Sequence, residues 1–167
     1  MAPSFNSVVV PISEVPYEKV RAADESREPI VLVVDDDRLV ADTLTIIFNR
    51  AGFCALTAYD AAEALEISKA IQPDILVSDV DMPRMTGVEL AMTLLQIIPE
   101  CWILLFSGHA TLADLATARA AGHDFPLLTK PVHPAEMLKN VKKCLGSGPA
   151  VARRQMFEDT VRLQRTA

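Results

Sequence analysis

The stretch Ile30-Val31-Leu32-Val33-Val34-Asp35-Asp36-Asp37 decides the fold. Five apolar residues in an unbroken, mostly β-branched run cannot be one side of an amphipathic element. They read as a strand covered on both faces, which is the pattern of a parallel sheet sandwiched between helices. The run ends abruptly in three carboxylates. A helical pattern follows through Leu39, Leu44, Ile47 and Phe48, and Gly52 suits its end.

Working outward, the same cycle recurs. Phe53–Ala58 reads as a second strand, and Asp60 can cap a helix over Ala61–Ile71 that Pro73 closes. Ile75–Ser78 is an apolar strand running into Asp79. After the loop Asp81–Gly87 comes a helix over Val88–Ile98, stopped by Pro99. Trp102–Phe106 is a fourth strand ending at Ser107-Gly108, and Ala110–Ala121 is an Ala-rich helix closed by Gly122. Phe125–Leu128 is a fifth strand leading into Lys130-Pro131, and Pro134–Leu145 is a fifth helix ending at Gly146. Strands alternating with helices imply right-handed βαβ units. The predicted fold is therefore α/β, a doubly wound five-stranded parallel sheet with five helices over residues 29–146.

The flanks differ in composition. Residues 1–28 are rich in Pro, Ser and charge, with one short apolar run at Val8–Val10, and read as an N-terminal extension. Residues 147–167 open on Gly-Ser-Gly-Pro, a linker composition, before a weak amphipathic stripe of Met156, Phe157, Val161 and Leu163. The central block holds fifteen acids against nine bases, so it carries the whole net charge of −6 while the ends cancel. That balance argues against nucleic acid as a direct partner. Cys54, Cys101 and Cys144 are odd in number and far apart, without metal-binding spacing, and are expected as buried or half-buried thiols in a reducing cytoplasm. No apolar run approaches the roughly 20 residues that span a bilayer, and no signal peptide precedes the domain.

In an open parallel sheet, ligands bind at the carboxyl ends of the strands. The noteworthy polar residues fall there: Asp35, Asp36 and Asp37 after the first strand, Asp79 at the third, Ser107 at the fourth and Lys130 at the fifth. Clustered carboxylates repel one another, and a hard cation such as Mg²⁺ relieves that repulsion. An aspartate beside such an ion can attack phosphorus and form an acyl phosphate. An ammonium and a hydroxyl aimed at the phosphoryl oxygens would stabilise the charge in transit. Each residue also has a plain structural role open to it. Asp37 suits a helix cap, Asp79 and Ser107 suit turns, and Lys130 suits a solvated surface.

Four segments together carry a resemblance. Val33-Val34-Asp35-Asp36-Asp37, Ser78-Asp79-Val80-Asp81-Met82-Pro83, Phe106-Ser107-Gly108 and Thr129-Lys130-Pro131 resemble the signature segments of response-regulator receiver domains, in that family's order and at strand ends. The resemblance covers Pro29 to Gly146 and implies a flavodoxin-like receiver fold. It implies that Asp79 is the phosphoryl acceptor and that Asp35 and Asp36 are the acidic pair, with Asp36 the direct Mg²⁺ ligand. The backbone carbonyl of Asp81 would complete the metal site, Ser107 would be the switch hydroxyl, and Lys130 would pair with the acceptor. The Lys130-Pro131 bond would be cis. Implied partners are a sensor histidine kinase or phosphotransfer protein, and a downstream protein bound through the face from the fourth to the fifth helix. Turnover catalysis, direct nucleic-acid binding and membrane association are not expected. Homodimer formation is left open.

The sequence also departs from the pattern. The position of the family's switch aromatic, three before the lysine, is Leu127, with Phe125 two residues earlier, and Pro126 lies between them. Two alternatives follow: a pseudo-receiver that binds partners without switching, or a haloacid-dehalogenase-like phosphatase, whose nucleophile and acid/base pair Asp79-Val80-Asp81 resembles.

Overall fold

The computed structural model describes residues 27–109 and 112–146. The Val8–Val10 run and the C-terminal linker with its amphipathic stripe lie outside the described residues. Strand β1 is Ile30–Val34 and is followed by helix α1, Arg38–Arg50. Then come β2 (Cys54–Ala58), α2 (Ala61–Ile71), β3 (Ile75–Asp79), α3 (Gly87–Ile97), β4 (Trp102–Ser107), α4 (Leu112–Ala120), β5 (Leu127–Thr129) and α5 (Pro134–Leu145). All pairings are parallel, in the order β2-β1-β3-β4-β5.

Alternation along each strand divides the core into two layers. Leu32, Val34, Leu76, Ile103 and Leu105 point to the layer built with Ala61, Ala64, Val88, Ala91, Leu94 and Ala118, from α2, α3 and α4. Val31, Val33, Ile75, Val77, Leu104 and Phe106 point the other way, against Phe48 of α1 and Met137, Val141 and Cys144 of α5. Burial on both faces is why the central strands are continuous apolar runs. Chain order reverses between β1 and β3, which opens the crevice at their carboxyl ends.

Local chemistry fixes the helix ends. Asp37 caps α1, its carboxylate accepting from the N–H groups of Leu39 and Val40. Asp60 does the same for α2 through Glu63 N–H. Thr86 and Glu89 exchange side-chain bonds with each other's backbone at the start of α3. Gly52, just past α1, takes φ +88°, a conformation that favours glycine.

Two expectations need correction. The fifth strand is shorter and later than Phe125–Leu128, because Phe125 leaves the sheet to stack on His123 with ring centroids 5.4 Å apart. Cys54 is exposed, since it opens an edge strand, whereas Cys101 and Cys144 are buried. His133 accepts at Nδ1 from Ala135 N–H at 3.2 Å and caps α5. Asp74, which the sequence does not single out, is buried at the opposite edge of the sheet from the acidic cluster. It accepts from Ile30 N–H and Arg27 Nη2, both at 2.8 Å, and so pins the start of β1.

Candidate functional site

The expected residues converge. β1 runs into Asp35, β3 ends at Asp79, β4 ends at Ser107, and Lys130 follows β5. Parallel pairing sets Val34 opposite Ser78, Asp79 opposite Phe106, and Ser107 opposite Thr129, so these ends lie on one rim. Carboxylate oxygens of Asp35, Asp36 and Asp79 all lie within 4.8 Å of one another, a group that can hold a metal ion. Asp36 is exposed while Asp35 and Asp79 are buried.

Lys130 is the cation of the site. Its Nζ stands 3.2 Å from Asp35 Oδ2 and 3.1 Å from Asp79 Oδ1. The contact with Asp79 Oδ1 is an ion pair, and that oxygen has no hydrogen-bond partner of good geometry. The ammonium also sits 4.9 Å from the centre of the Phe106 ring, whose face attracts a cation. Burial pushes the Asp79 carboxyl above its ordinary value. Lys130 opposes the rise, and the charges of Asp35 and Asp81 add to it. For Lys130, burial disfavours the charge, yet Asp79 and Asp35 outweigh it and hold its pKa above the usual lysine value. One ammonium facing three carboxylates leaves the rim negative, the condition under which a hard divalent ion binds.

Asp35 is held at both oxygens. Its Oδ1 accepts from Asp37 N–H at 2.9 Å while Oδ2 faces Lys130. Asp81 is not in the acidic cluster by its side chain, which turns to β4 and accepts from Ser107 Oγ at 2.6 Å. The Lys130-Pro131 peptide is cis. Leu127 pairs with Leu105, two residues below Ser107, and Phe125 lies outside the sheet, stacked on His123. Phe125 therefore does not replace the missing aromatic beside the hydroxyl.

Two contributors escaped sequence reasoning. Phe106, expected as the last residue of the fourth strand, is also the floor beneath Lys130. Gly87, expected as the last residue of the loop Asp81–Gly87, opens α3. A Cβ on it would stand 2.0 Å from Asp79 O and 3.0 Å from Ser78 Oγ. The first turn of α3 thus presses directly on the backbone of Asp79, and only glycine allows it. Gly87→Ala is expected to cost about 1–3 kcal/mol in urea unfolding, because well-packed backbone must move. A change inside 0.5 kcal/mol would show that the contact relaxes freely.

Fold and site define a doubly wound α/β domain with a metal-competent acidic rim answered by one lysine. The chain belongs to the response regulator receiver domain family, whose model matches residues 31–142. The response regulator MprA of Mycobacterium ulcerans is 33% identical over 129 residues, covering 77% of this chain and 52% of that protein. A CheY-like receiver domain protein from Methanospirillum hungatei superposes with a TM-score of 0.66 at 26% identity, covering 70% of this chain and 93% of that one. The BeF3-activated DrrB receiver domain superposes with a TM-score of 0.62 at 25% identity, covering 72% and 99%. The chain spans about half the length of the curated relatives it matches. It is a receiver domain of two-component signalling, with the flavodoxin-like topology expected. Among the described residues, no helix is long and apolar enough to cross a membrane.

Proposed function

We propose that this receiver accepts a phosphoryl group on Asp79 in a Mg²⁺-dependent reaction and thereby changes its affinity for a protein partner. The observation that carries the reading is a buried carboxylate, Asp79, whose Oδ1 has an ion pair but no hydrogen-bond partner and whose neighbours include two more carboxylates. That donor set fits a hard cation. Asp36, Asp35 and Asp79 would hold it, with the backbone carbonyl of Asp81. When bound, the ion offsets carboxylate charge and that of the incoming phosphoryl oxygens.

The remaining chemistry falls to the chain. An ionised Asp79 oxygen attacks phosphorus, so no general base is required. The P–N bond of a donor phosphohistidine breaks, and its electron pair returns to the imidazole, which takes a proton from water. Lys130 faces the acceptor and neutralises charge as the phosphoryl group crosses, and Ser107, at the end of the neighbouring β4, would supply a hydroxyl donor. The donor would be a sensor histidine kinase or phosphotransfer protein. The phosphorylated rim gains charge and acceptor oxygens, which biases a two-state equilibrium reaching α4 from Ser107. The downstream partner would bind the α4 to α5 face. The working unit is residues 29–146, acting in the cytoplasm and catalysing only its own modification and its reversal.

Family membership removes the support for the phosphatase alternative. The pseudo-receiver remains the second reading, favoured by Leu127 in the aromatic position. BeF3 copies a phosphoryl group bound to a carboxylate, and a similar receiver is activated by it. The test is intact-protein mass after incubation with a small acyl phosphate. The expected result is one added phosphoryl group with Mg²⁺ and none without it. An unmodified protein in the presence of Mg²⁺ would favour the pseudo-receiver.

A further inference from the structure

Resting on that reading, we propose that Asp81 is a positioning residue: its carboxylate latches the Ser107 hydroxyl away from Asp79 and competes with the phosphoryl group for it. The hydroxyl has a single proton to give. In the structure that proton goes to Asp81 Oδ2 over 2.6 Å, a short charge-assisted bond, while Oγ accepts from His109 N–H at 3.1 Å. Ser107 is fully buried, so its hydroxyl is shielded from water on its own side of the bond. Serine lacks the γ-methyl that restricts threonine, so its rotamer is set by its hydrogen bonds. The position that carries the family's switch aromatic is Leu127, and Phe125 lies outside the sheet, stacked on His123.

The latch is reversible by construction. Asp81 is exposed, so its carboxylate is rehydrated as the hydroxyl leaves. It also sits on the loop directly after the acceptor, and Val80 N–H bonds to Phe106 O at 3.0 Å, tying that loop to the strand that carries Ser107. A phosphoryl group on Asp79 must therefore break the Asp81 bond to recruit the hydroxyl. Release frees the His109 amide at the entrance to α4 in the same movement.

Two measurements on the full chain decide this. The first is solvent exchange of the His109 amide by NMR, without ligand. Asp81→Ala is expected to speed it about tenfold while Val77 in β3 is unchanged, and Asp81→Asn, which keeps an acceptor, to stay closer to wild type. Unchanged exchange in Asp81→Ala overturns the latch. The second is BeF3 affinity with Mg²⁺ across Asp81→Ala, Ser107→Ala and the double variant. The latch requires Asp81→Ala to tighten binding several-fold more when Ser107 is present than when it is absent. Equal tightening in both backgrounds means simple relief of charge and overturns the latch. If wild type binds no BeF3, the phosphoryl-acceptor reading falls, and the amide exchange alone judges whether Asp81 holds the hydroxyl.

Discussion

Asp79→Asn is expected to abolish phosphoryl uptake and, at neutral pH, to melt several degrees above the parent chain. The loss follows from removing the nucleophilic oxygen. The gain follows from burial, which raises the Asp79 carboxyl pKa despite Lys130, with Asp35 and Asp81 adding to the rise. A carboxyl whose pKa is higher in the folded state binds more protons there than in the unfolded chain. Stability therefore falls as pH rises from the unfolded value through the folded one, and stays reduced above it. At neutral pH the ionised Asp79 is a burden that asparagine, of nearly the same shape, does not impose. Functional carboxylates often carry such a cost. The advantage should fade in acid, vanishing below about pH 3.9, where the wild-type carboxyl is protonated in both states. Thermal melts of both proteins across that range provide the check. A variant that melts below the parent at neutral pH would show that the attraction to Lys130 outweighs burial.

Lys130→Ala is expected to destabilise the domain by about 3 kcal/mol, the lower end for removing one member of a buried ion pair. The lower end applies because the lysine side chain is 31% exposed, although Asp35 and Asp79 are almost fully enclosed. The Asp35 and Asp79 carboxylates would face each other with no cation between them. Mg²⁺ should restore a larger share of stability to this variant than it adds to wild type, since it would supply the missing charge as well as binding energy. Lys130 titrates above the ordinary lysine value, so its contribution holds through the neutral range and is lost only as pH climbs through that raised value. Urea unfolding with and without Mg²⁺ is the measurement. A variant within 1 kcal/mol of wild type would mean that the carboxylates separate or take up protons without penalty.

Much of this architecture is legible because buried parallel strands announce themselves. Ile30–Val34 is apolar throughout and Ile75–Val77 is apolar before Ser78 and Asp79, so the strand ends, and with them Asp35 and Asp79, can be located from pattern alone. Caps at Asp37 and Asp60 were equally readable, because a short acid before an apolar period has a local reason to be there. β5 was harder. It is a three-residue edge strand, and Pro126 interrupts its pattern. What the sequence hid depends on contact across the sheet. That Asp81 turns to Ser107, that Phe106 lies under Lys130 and that Gly87 touches Asp79 are matters of rotamer and helix approach, which no spacing encodes. Asp74 was hidden for the same reason, as its partner Arg27 is 47 residues away.

The brevity of β5 also governs how copies of this chain can meet. Pro126 O and Lys130 N–H bond inward to β4, so alternation leaves only Leu127 and Thr129 to offer backbone groups outward. Pro126 and Pro131 flank them, and proline has no N–H to extend a ladder. An incoming strand would find two residues of template, too few to nucleate a shared sheet. That margin is blunted against aggregation and strand exchange, so self-association on that flank would have to be built from helix surfaces.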